Sequence, residues 1–79
     1  MMEPVKNAKI KILSKELGCI DPRTRRFTTQ FVHEGDEGVV LDKLPLMEGE
    51  QWWLLLVNDG FVPAHPSTFE VTGWPKENE

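Results

Sequence analysis

Residues 8–13 (AKIKIL) place Ala8, Ile10 and Ile12 on one side and Lys9 and Lys11 on the other. A period of two marks a half-buried strand, and Leu13 breaks it and predicts its end. Residues 38–44 (GVVLDKL) predict another, with Val39 and Leu41 sharing one face and Val40 on the opposite one. Residues 52–57 (WWLLLV) predict a third, which has no polar side chain at all. Asn58-Asp59-Gly60 predicts a tight hairpin, because Asn and Gly tolerate the left-handed backbone that such turns need. Phe61 and Val62 then return as a short strand that Pro63 should end. Residues 64–68 read as one 3₁₀ turn and residues 69–72 as a closing strand.

The pattern is weakest over residues 14–30. Ser14-Lys15-Glu16-Leu17 suits one helical turn, which Gly18 would stop, and Asp21-Pro22 opens a turn before Arg23-Thr24-Arg25-Arg26. Residues 27–32 hold two Phe, two Thr and one Val, so the chain should re-enter a sheet there. The whole reads as a long excursion between strands, a feature often functional in compact domains. The predicted organisation is a loose lead-in at 1–7, one domain at 8–72, and a frayed tail at 73–79 from which Trp74 can fold back.

Seventy-nine residues with six Pro and six Gly suit many short strands joined by turns rather than long helices. A substrate-enclosing cleft would use up much of so small a core, so size favours a surface binder over an enzyme. The net charge of −4 is unevenly spread. Residues 1–30 carry a surplus of four positive charges and residues 31–79 a surplus of eight negative ones. The acidic body disfavours nucleic acid unless the basic segment forms a patch of its own. The alternative is that the two segments fold over each other and neutralise.

A single Cys19 cannot form an internal disulfide and points to a reducing, cytoplasmic setting. With no apolar leader at 1–7, and an apolar run at 52–57 too short to cross a bilayer, no membrane role is expected. His33, His65 and Cys19 match no zinc spacing, so no metal and no cofactor are expected. Carboxylate pairs such as Asp36-Glu37 fall in exposed turns, where no burial would tune an acid against a base. No nucleophile–base pair stands out, so no catalytic residue is assigned.

Taken together, Gly35-Asp36, Val40-Leu41, Trp52-Trp53, Gly60-Phe61-Val62-Pro63 and Phe69-Glu70-Val71 resemble the landmarks of SH3 domains in order and spacing. The resemblance implies an all-β, SH3-like small barrel of about five short antiparallel strands, with residues 14–30 in the place of the ligand-contacting RT loop. It carries over only Trp52 and Pro63 as groove residues. The chain has no tyrosine, and Arg23, Arg25 and Arg26 stand where acids would meet a peptide arginine. The turn Gly35-Asp36-Glu37-Gly38-Val39-Val40 is also similar to one in small bacterial SH3-like proteins that dock on larger complexes or kinases, and to one in KOW modules.

Neighbouring residues on a strand face opposite ways. Phasing by the SH3 resemblance puts Trp53, Leu55 and Val57 inward and Trp52, Leu54 and Leu56 outward. An outward Trp beside Pro63 suits a binding anchor, and two exposed leucines beside it call for cover by the chain itself, a second copy or a partner. The expected function is a non-catalytic protein-binding adaptor or regulatory module using Trp52, Pro63, Leu54, Leu56 and the basic loop at Arg23, Arg25 and Arg26, as monomer or weak homodimer. The alternative is an RNA- or ribosome-associated module gripping phosphate through the same arginines.

Overall fold

A computed structural model describes residues 4–46 and 48–75. The protein is all-β: β1 (Lys9–Ile12), β2 (Glu16–Asp21), β3 (Arg26–His33), β4 (Glu37–Lys43), β5 (Trp53–Val57), β6 (Gly60–Ala64) and β7 (Phe69–Gly73), with one 3₁₀ turn at Pro66–Thr68. All pairings are antiparallel, in the order β3-β2-β6-β5-β4-β1-β7. The expected five-strand barrel is corrected on two counts: the sheet has seven strands, and its end strands β3 and β7 are not paired with each other. The ends of the lead-in and the tail, at 1–3 and 76–79, lie outside the described residues.

The two extra strands come from the excursion at 14–30. It is a hairpin, β2 and β3 around the turn 22–25: the strand expected at 27–32 is β3, while the helical turn expected at 14–17 gives way to the start of β2. Gly18 stops nothing; it sits inside β2 opposite Phe31. A Cβ there would come within 3.0 Å of the Phe27 ring and 3.8 Å of the Phe31 ring, so its bareness lets both rings lie across β2. The lone Gly and the charged flanks hid a strand whose partner supplies the bulk.

Elsewhere the two-residue period holds. β1 alternates exposed Lys9 and Lys11 with buried Ile10 and Ile12. In β5, Trp53, Leu55 and Val57 are buried, while Leu54 and Leu56 are half-buried. The hairpin after β5 is closed by Asn58 and Asp59, both left-handed at φ 50° and 64°. That is the backbone a two-residue turn needs to match the strand twist. Pro63 does not end β6, which runs on to Ala64. β2 meets β6 only at Ile20↔Phe61, so beyond that point β6 has a free flank where a missing N–H breaks no ladder.

Every strand contributes to one core: Ile10, Ile12, Cys19, Val32, Val40, Trp53, Leu55, Val57, Val62, Ala64 and Phe69, joined by Ala8. Side chains from both ends of the strand order meet there, so the sheet must curl over its own inner face although its edges stay apart. No buried side-chain N or O among the described residues lacks a hydrogen-bond partner.

The curl depends on close approach at Gly38, which pairs with Ile10 on one side and Val57 on the other. A Cβ at 38 would collide with the Leu56 carbonyl oxygen and come within 2.7 Å of Val57 Cγ2. Backbone cannot step aside as a side chain can. Gly38→Ala is therefore expected to destabilise the fold by about 1–3 kcal/mol or more, read as a lower urea midpoint. Gly49→Ala, where no atom lies within 4 Å, should lose only the roughly 1 kcal/mol set by its positive φ.

Candidate functional site

On the outer face of the sheet the cross-strand partners form a row. Phe27 of β3 faces Ile20 of β2, Ile20 faces Phe61 of β6, Phe61 faces Leu56 of β5, and Leu56 faces Val39 of β4. Directly opposed residues point to the same side, so five apolar side chains stand abreast. One step further along β5, Leu54 faces Pro63 on one flank and Asp42 on the other. The half-burial of Leu54 and Leu56 thus comes from their neighbours in the sheet. Trp74, the proposed cover, follows β7 at the far edge of the order and is 45% exposed.

Trp52 stands just before β5, two residues from Leu54 and on the same face. Its carbonyl oxygen is held twice, by the Leu44 N–H at 2.9 Å and the Gln51 side-chain amide at 2.8 Å. Its ring meets His65 edge-on, centroids 5.5 Å apart at 71°. Half-buried and held in this way, the indole is pre-positioned.

His65 is itself fixed. Its Nδ1 accepts from the Ser67 backbone N–H at 3.1 Å, capping the 3₁₀ turn, and lies 2.8 Å from Ser67 Oγ. With Nδ1 accepting, Nε2 carries the proton toward Glu50 Oε1 at 2.7 Å. Serine, imidazole and carboxylate are thus in hydrogen-bond reach, a grouping that the sequence spacing does not show. Their geometry is that of a cap. The Nδ1 lone pair already takes a backbone proton, and what the group holds in place is the edge against Trp52.

The arginines are elsewhere. In the turn 22–25, Asp21 accepts from the Arg23 N–H through Oδ1 at 2.8 Å and from the Arg25 N–H through its carbonyl at 2.7 Å. Arg25 is left-handed at φ 60°. β2 and β5 both run antiparallel to β6, so the direction from Ile20 to Asp21 leads to the Asn58-Asp59 end of the sheet. Trp52 lies the other way, four residues before Leu56 or about 13 Å at a strand's rise. The structure thus brings Trp52, Leu54, Leu56 and Pro63 together and sets Arg23, Arg25 and Arg26 at the opposite end.

None of these three guanidiniums is in a salt bridge with another described residue; the bridges found are His33–Glu16 at 3.8 Å and His65–Glu50 at 2.7 Å. Beside them stand rings that the sequence reading passed over, Phe27 at 72% and Phe31 at 48% exposure. Phe27 and Phe31 stand five residues and one residue from Val32, the buried position of β3, and these odd separations turn both rings away from the core. That parity becomes readable only once the burial of Val32 is fixed. Among the described residues no group of His, Cys, Asp or Glu could hold a metal ion, and no helix is long and apolar enough to cross a membrane.

Cys19 is buried against Gly60, where a Cβ would come within 2.8 Å of its sulfur. Burial raises the thiol above its ordinary range by desolvating the thiolate. At pH 7 it is neutral and inaccessible, so iodoacetamide should label it far more slowly than free cysteine. Labelling in the native protein at the rate seen in urea would contradict its place in the core.

A comparison with family models, with curated proteins and with solved structures gives no match to this chain.

Proposed function

We propose that the chain is a non-catalytic protein-binding module, with strands connected in an SH3-like way, that docks on its partner through Trp52, Leu54, Leu56 and Pro63. The observation that carries this reading is the held indole beside a two-strand apolar surface. A binding anchor is most effective when little rotamer freedom is lost on association, and Trp is favoured in that role. Leu54 and Leu56 retain exposed surface beside it, and fully burying a leucine side chain contributes roughly 1.5–3 kcal/mol. The strand order supports the SH3-like connectivity in one respect: the last strand pairs with the first, and the first with the strand after the Gly35-Asp36 turn. The expected setting is the cytoplasm, with no cofactor.

A nucleic-acid reading has a specific observation in its favour, exposed Phe27 next to Arg26, in a chain segment whose arginines are in no salt bridge with another described residue, with exposed Phe31 on the same strand. Stacking rings next to cations are what single strands use. The surplus of negative charge over the rest of the chain opposes it.

Trp52→Ala should weaken capture of the partner from source lysate by tenfold or more while far-UV circular dichroism stays unchanged. Trp53→Ala, one residue on but only 3% exposed, should instead lower stability by about 3–5 kcal/mol. If both changes unfold the protein, or if Trp52→Ala captures the same partners as wild type, this surface is not the docking site. Binding that collapses with added salt and fails with the arginines instead would favour nucleic acid.

A further inference from the structure

β3 is the open edge of the sheet, eight residues long, and its exposed side chains run from Arg26 to Phe31. Its far side is not bonded to any other described strand. Protein edges of this kind are ordinarily blunted by lysine or proline, and β3 has neither. It does have a bow. Four residues from Phe27 to Phe31 span what two do in β2 from Ile20 to Gly18, and Thr28 Oγ1 accepts the Gln30 N–H at 3.0 Å. The bow leaves the two ends of the strand, with their rings, as the parts able to meet another strand.

The strand also has a charged polarity. Before it stand Arg23 and Arg25, with Arg26 at its first position; after it come Glu34, Asp36 and Glu37. Glu34 is exposed and in no salt bridge with a described residue, whereas Glu37 already belongs to β4, opposite Lys11 of β1. A positive end and a negative end on one edge is the arrangement that pairs with its own copy when the copy is turned around.

We infer that β3 joins β3 of a second copy of this chain in an antiparallel, two-fold symmetric pair with Thr29 at the axis. In that register Phe27 of each copy faces Phe31 of the other. Arg25 falls opposite His33 and Thr24 opposite Glu34, so each basic turn lies against the other copy's acidic one. Aromatic pairs across strands are favourable, and the symmetry makes every contact occur twice. The pairing uses the open edge of the sheet, and β2 and β6 lie between that edge and β5, so it does not draw on the Trp52 surface.

The test is the mass of the full chain in solution, by sedimentation or light scattering across concentration. At low salt the wild type is expected to approach twice the 9.1 kDa chain mass and to fall back toward monomer as salt screens the paired turns. Arg23→Glu with Arg25→Glu, or Glu34→Lys, should each give monomer, because like charges then face each other. Mixing the two variants in equal amounts should restore the dimer, since each altered end meets its complement. Phe27→Ser should also give monomer, and Trp52→Ala should leave the mass unchanged. A wild type that stays monomeric throughout, a dimer that survives Phe27→Ser, or a mixture no more associated than its parts would overturn the pairing.

Discussion

Two adjacent tryptophans cannot both be buried by the same strand. This constraint arranges the rest of the molecule. Because successive side chains alternate across the pleat, committing Trp53, Leu55 and Val57 to the core forces Leu54 and Leu56, with Trp52 ahead of them, onto the outside. The core side then needs bulk from every strand to surround them, and receives it. The outer side needs company for the leucines, and Phe61, Pro63 and Val39 supply it through the register. A shift of one residue in the pairing of β5 would exchange the two sets, exposing the largest ring of the core.

Where strands announce themselves by alternation, the sequence is legible. β1, β4 and β5 fall within a residue or so of their expected ends, and the Asn58-Asp59 hairpin lies where its left-handed residues put it. The failures have a shared cause, which is that a residue's neighbours in space outweigh its own propensity. Gly18 looks like a stop signal in one dimension, yet in three it is the recess that receives Phe27 and Phe31. Pro63 looks like a strand end and is tolerated because β2 has already turned away from β6. The first misreading hides β2 and so the hairpin that takes the sheet from five strands to seven, and the second only shortens β6.

The candidate site divides along the same line. Trp52, Leu54 and Leu56 follow from the parity of a single strand, and parity can be read from the sequence. Pro63 joins them through a hairpin register that a short turn fixes. The distance between this group and the arginines is different in kind, because it depends on which end of β2 faces which end of β5, a matter of topology that spacing does not encode. His65 was invisible for a further reason: its role comes from Glu50, fifteen positions upstream. That carboxylate, together with the cap on Ser67, turns a lone imidazole into a brace for the indole.

The uneven charge of the chain acquires a structural meaning from the β2–β3 hairpin. Had the basic first third been laid over the acidic remainder, the arginines would show carboxylate partners, and among the described residues they show none. The hairpin instead projects them at one end of the sheet and returns along β3 to an acidic turn at the other. An edge strand with opposite charges at its two ends repels a copy laid parallel to it and attracts one laid antiparallel, so charge selects orientation where backbone pairing alone would accept either. An antiparallel pair would also hold two Trp52 surfaces in one assembly with fixed spacing. A partner offering two binding segments would then meet the second at a high effective concentration, so that a small docking surface on each copy could suffice for tight association.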